Sequence, residues 1–127
     1  MPDRPAIVQI HESDAEGAVQ IKITLSYRDA HYVGIATGDP SLTTRPRLVG
    51  EATLRAVEEV AENRVRLNLD AVATTSLGEA QIAMAQVSVS GNGESLVGSA
   101  LLGQADQSAA TVRAVLDAIN RRLAQVL

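Results

Sequence analysis

The phrase ATLRAV at residues 52–57 returns 58 positions later as ATVRAV at residues 110–115. A chain of 127 residues that writes one helical phrase twice is built from two copies of one unit. A copy that short cannot bury both a helix stripe and a sheet face by itself, so the two must share a core. The repeat therefore predicts a single domain over residues 1–127, made of two units at about 6–63 and 65–126.

The order of elements within each unit follows from local pattern. Residues 18–27 place Val19, Ile21, Ile23, Leu25 and Tyr27 on one face and Gln20, Lys22, Thr24 and Ser26 on the other, a strand with one wet face. Residues 6–13 and 31–38 flank it as strands, joined by short turns. The stretch DPSLTTRP, with two prolines, is a loop that ends in Thr44 as N-cap, with Pro46 in the first turn of a helix over about 47–63. In that helix Val49, Ala52, Ala56, Val57 and Val60 form the apolar stripe, and Glu51, Arg55, Glu58, Glu59 and Glu62 face solvent. The second unit repeats the order with strands at 65–76, 80–90 and 95–103. A helix follows whose stripe is Val112, Val115, Leu116, Ile119, Leu123 and Val126.

Further matches pair Gln20-Ile21 with Gln81-Ile82, Gly17 with Gly78 and Val33-Gly34 with Val97-Gly98. Their offset drifts from 61 to 64 and then to 58, which lengthens the second hairpin by three residues and shortens its strand-to-helix loop by six. The fold class expected is α+β: a duplicated βββα–βββα chain, antiparallel in one six-strand layer or two facing three-strand layers. Two helices pack on one face, and a pseudo-two-fold relates the halves. In the fifth strand the apolar phase changes from Ile82 and Met84 to Val87 and Val89. Either a β-bulge lies near Ala85-Gln86 or the strand is covered on both faces, the second face by a partner subunit.

Composition excludes several classes of function. There is no cysteine, so disulfides, thiol nucleophiles and cysteine-rich metal sites are absent, and a reducing, cytoplasmic setting is the expectation. The net charge is −4, and ten arginines and one lysine are scattered along the chain, which is not the footprint of a nucleic-acid binder. Both aromatics are tyrosines, so stacking platforms are lacking. No apolar run approaches the ~20 residues that span a bilayer, and the first residues carry no cationic and apolar signal pattern. No membrane partner is expected.

No motif assembles a catalytic constellation. His11 and His31, the two histidines, could meet Glu12, Asp14 or Asp29, but HxxxH and HExxH spacings are absent, and both read as surface residues near strand ends. No GxSxG elbow occurs among the serines. GDP at 38–40 and GNGE at 91–94 match neither phosphate-loop pattern, and GNG closes a hairpin. Thr43, Thr44 and Asp106 stand at helix starts, where they serve as caps or contact an anion.

The final helix, DQSAATVRAVLDAINRRL at 106–123, resembles the last helix of the C-terminal regulatory domain of 2-isopropylmalate synthase. That leucine-feedback domain is also found in citramalate synthases. The likeness falls on Asp106, Ala110, Thr111, Ala114, Leu116, Ala118, Ile119, Asn120 and Arg121, and in the first helix on Glu51, Ala52, Thr53, Ala56 and Val57. The family's Gly-x-Gly-Pro turn is represented by Gly38-Asp39-Pro40 and its second glycine turn by Gly103-Gln104-Ala105-Asp106. The synthase barrel has no counterpart here.

The resemblance implies a non-catalytic, dimerising regulatory domain without metal or cofactor. It would bind a small metabolite such as an amino acid through Asp39, Thr43, Thr44, Gly103 and Asp106, where loops 38–46 and 103–108 meet. The alternative from the residues alone is a ligand-free module that assembles with itself or another protein through a sheet edge or helix face.

Overall fold

A computed structural model describes residues 4–41, 44–91, 93–103 and 106–126. The chain runs β1 (Ala6–Ala15), β2 (Ala18–Tyr27), β3 (Ala30–Gly38), α1 (Arg45–Val60), β4 (Leu67–Leu77), β5 (Ala80–Val89), β6 (Glu94–Leu101) and α2 (Gln107–Val126). Strands β1-β2-β3 make one antiparallel sheet and β4-β5-β6 a second, so the strands form two three-strand layers. The two units are thus βββα twice.

Each sheet turns one face to a helix. Val19, Ile21, Ile23 and Leu25 of β2 are fully buried, and Ala83, Ala85, Val87 and Val89 of β5 hold the same place in the second sheet. Helix α1 lies on β2 and β3, α2 on β5 and β6, and the helices touch each other. Each helix also reaches the first strand of the other unit, α1 to β4 and α2 to β1, and this reciprocity is a pseudo-two-fold relation. One apolar cluster runs through both units, built from Val, Ile, Leu and Ala.

The close fit of helix on sheet depends on glycine. A Cβ at Gly34 would stand on the Ala52 carbonyl and the Ala56 amide, 3.0 Å from Ala56 Cα; at Gly98 it would stand on the Ala114 carbonyl and the Ala118 amide, 2.8 Å from Ala118 Cα. These contacts fix the equivalence of the units. Ala52 corresponds to Ala114, 62 positions on, and not to Ala110. The phrase ATLRAV is therefore repeated one helical turn out of place. A four-residue shift nearly returns a helix to the same face, which is why one pattern of small residues serves at both heights.

The same 62-residue offset relates the hairpins, and it corrects the sequence alignment. The β1–β2 turn closes on Ala15 and Ala18, and the β4–β5 turn on Leu77 and Ala80. Gly17 (φ +80°) is the second turn residue, after Glu16 at φ 52°, whereas Gly78 (φ +62°) is the first. Two different primed turns thus do one job, since each needs positive φ but at a different position. Ile82 is likewise no counterpart of buried Ile21: an offset of 61 puts it on the opposite face of the sheet. Between β2 and β3 two residues suffice, and between β5 and β6 four are used (90–93). The strand-to-helix links, 39–44 and 102–106, differ by one residue and not by six.

Strand β5 is regular along its length. The bulge lies across from the expected place, at Asp70 of β4, between the pairs Leu69 with Val87 and Ala71 with Gln86. Its equivalent is Val8 of β1, between Ile7 and Gln9, so both first strands carry the same irregularity. The phase change in β5 has a simpler cause: Val87 and Val89 point to α2, while Ile82 and Met84 lie on the outer face.

Candidate functional site

The expected loop site is largely closed on itself. Asp39 Oδ1 accepts from the Ser41 amide at 2.9 Å. Thr44 has helical dihedrals and no capping bond of its own. Ser41, three residues earlier, caps the turn instead: its Oγ accepts the Thr44 amide at 3.3 Å and lies 2.8 Å from Thr44 Oγ1. Asp106 is a true N-cap, its Oδ1 accepting the Ala109 amide at 2.7 Å. Gly103 makes a positive-φ bend, at 51°, and Thr43 lies outside the described residues.

The two helix starts do meet, at a carboxylate that belongs to the chain. Glu12 of β1 pairs with Arg45 in the first turn of α1 and lies 3.4 Å from Ser108 Oγ in the first turn of α2. An anion between two helix N-termini is favoured by their dipoles. The equivalent contact, 62 residues on, is Gln107 donating to Thr74 at 2.9 Å. Glu12 was legible only as a charged residue near a strand end; its place between the helices follows from topology.

A second place, unmarked in the sequence, is where the pseudo-symmetry fails. In the first unit α1 grips the edge of β4. Arg55 donates to the Leu67 carbonyl at 2.7 Å, Glu58 accepts the Leu67 amide at 2.8 Å, and Arg47 donates to the Leu69 carbonyl at 2.9 Å. Arg55 and Glu58 also pair with each other at 2.9 Å. Glu58 is consequently buried, contrary to the solvated face expected of it.

In the second unit the residues 62 positions on are Asp117 and Asn120 on α2, and the strand residue that matches Leu67 is Pro5. Proline has no amide hydrogen to offer. Asp117 turns to the Ser99 amide of β6 at 3.0 Å, and the buried Asn120 Oδ1 has no partner among the described residues.

An open cleft of about 540 Å³ remains along this seam, lined by Arg4, Pro5, Ile7, Arg113, Asp117 and Asn120 among others. It adjoins a second hollow of about 380 Å³ that shares Arg4, Asp117 and Asn120 and adds Arg121.

The outer faces of the two sheets differ. On the first sheet His11 stands opposite Lys22 and His31 opposite Ser26, so β2 separates the histidines. On the second, Leu77, Met84, Val97 and Leu101 are exposed, and no charged residue occurs in 71–77, 80–89 or 95–101. A shallow hollow of about 260 Å³ there is lined by Ala71, Ala73, Met84 and Val97. Its polar residues gather toward one end, where Gln86 donates to Ser95 at 3.1 Å and Ser88 to Asp70 at 3.1 Å.

Among the described residues no group of three His, Asp or Glu side chains is placed to hold a metal, and no helix is long and apolar enough to cross a membrane. No protein-family model matches the chain, and no curated protein matches it closely enough to serve as a relative.

Proposed function

We propose that the chain is a non-catalytic regulatory module that works as a homodimer, two copies packing the outer faces of their second sheets together. The observation that supports this most is the exposure of Leu77 (69 %), Val97 (63 %) and Leu101 (64 %) on one face whose polar groups, Asp70 among them, gather at one end. A contiguous apolar patch on a sheet face is a feature that soluble chains cover.

Size and chemistry both favour a second copy as the cover. Three strands at ~4.8 Å spacing and about ten residues at ~3.4 Å give roughly 500 Å² a side, or about 1,000 Å² in all, where specific interfaces begin. With Asp70 held at one end by Ser88, the apolar remainder of the face meets itself without like-charge repulsion, as an isologous two-fold contact requires. The regulatory part of the reading rests on the resemblance of the helix at 106–123. The polar groups gathered at the helix starts and the α1–β4 seam join elements to one another.

Light scattering on the purified protein tests this. The wild type is expected at twice the 13.3 kDa of one chain, and Leu101→Glu, at an exposed position, at the mass of one chain with an unchanged circular dichroism spectrum. A monomeric wild type would overturn the proposal.

A further inference from the structure

We propose that the cleft between α2 and the start of β1 binds a small organic carboxylate. The first unit shows what a closed seam is: Arg55 and Glu58 of α1 take up both backbone groups of Leu67. At the second seam Pro5 removes the amide, Asn120 replaces the carboxylate, and the space stays open.

The groups left around that space are cationic. Among the described residues Arg4, Arg113 and Arg121 line the cleft and its extension against one acid, Asp117, which is already bonded to the Ser99 amide. None of the three arginines has an ion pair among the described residues. A guanidinium fork matches a planar carboxylate with two parallel bonds.

Beside them the Asn120 amide has no partner for its Oδ1 among the described residues. Rotation about its soft terminal torsion brings either end of the amide to a ligand. Ile7, Ala100 and Leu116 supply an apolar wall, so the volume suits an anion with a short carbon skeleton better than a bare inorganic one. The extension abuts the outer face of the second sheet at Val97, while the main cleft, at Arg4, Arg113 and Asn120, lies on the α2 side of β6.

Isothermal titration of the full chain with succinate and with inorganic phosphate tests the site, using wild type, Arg113→Ala and Arg66→Ala. Arg113 and Arg66 are both exposed, so each variant is expected to fold, which a thermal melt verifies. Succinate is expected to bind saturably, more tightly than phosphate. The affinity should fall about tenfold in Arg113→Ala, the scale of one charged hydrogen-bond pair, and hold in Arg66→Ala. Absence of saturable succinate binding, equal binding by Arg113→Ala, or phosphate binding as tightly as succinate would each overturn the assignment. The same titration on monomeric Leu101→Glu should match wild type, so this proposal and the dimer stand or fall separately.

Discussion

Ile21 and Ile82 follow a glutamine in identical dipeptides, yet Ile21 is fully buried and Ile82 lies on the far side of its sheet. Truncating a packed isoleucine leaves a cavity, so Ile21→Ala is expected to cost about 3 kcal/mol in chemical denaturation. Ile82→Ala, on the outer face, should cost under about 1 kcal/mol in the monomer. Equal losses would show that the units align at 61 residues and not 62.

Gly98 gives a second reading of the same alignment. Its missing Cβ lets the Ala114 and Ala118 backbone sit on β6, so Gly98→Ala must push helix and sheet apart. The expected loss is about 3 kcal/mol, at the upper end of overpacking effects, and a melting temperature lower by roughly 10 °C. The composition announced small residues on the helices. It did not announce which turn of helix meets which glycine, because a pattern repeated every four residues fits at two heights.

At the level of elements, strands and helices were legible because each carries its own period. The meander of β1 to β3 and its copy follow from alternation and short turns. The bulges were missed, although the apolar phase slips across each of them, from Ile7 to Ile10 and from Leu69 to Val72; pairing with the neighbour places the extra residues at Val8 and Asp70.

Two consequences are measurable. Asp70 is the unpaired residue, and deleting it leaves Leu69 facing inward and Ala71 outward, so the deletion variant should fold with a loss of only about 1–2 kcal/mol. Deleting Ala85 from regular β5 reverses every side chain on one side of the cut and should abolish folding. Spectra and denaturant melts of the two variants distinguish these outcomes. Glu58→Ala strands the buried Leu67 amide and the Arg55 guanidinium, an expected cost of about 2 kcal/mol by the same melts. The sequence placed Glu58 in a run of charges that reads as solvated; only the approach of β4 buries it.

Across the whole molecule the two units share their inner architecture and differ in what they leave outside. Both grip a helix with a glycine-bearing third strand, and both bulge at the same place. The first sheet's outer face carries Lys22 and both histidines, while the second is apolar except at the end where Asp70 meets Ser88. The first seam is closed by Arg55 and Glu58, while the second is open at Pro5 and Asn120.

Duplication explains what is common, and the departures mark the surfaces on which each proposal rests. Of the loop residues expected to hold a ligand, Asp39, Thr44 and Asp106 are spent on turns and caps. The cleft is visible only once the units are superposed at the right offset. A chain without cysteine gives the cleanest test of assembly, because one introduced thiol labels one place. Pulsed dipolar spectroscopy on spin-labelled Met84→Cys should give a short distance between copies, since facing sheets stack ~10 Å apart. Labels at Ile35→Cys, on the other sheet, should be far apart. A missing coupling at Met84, or a short one at Ile35, would contradict pairing through the second sheet.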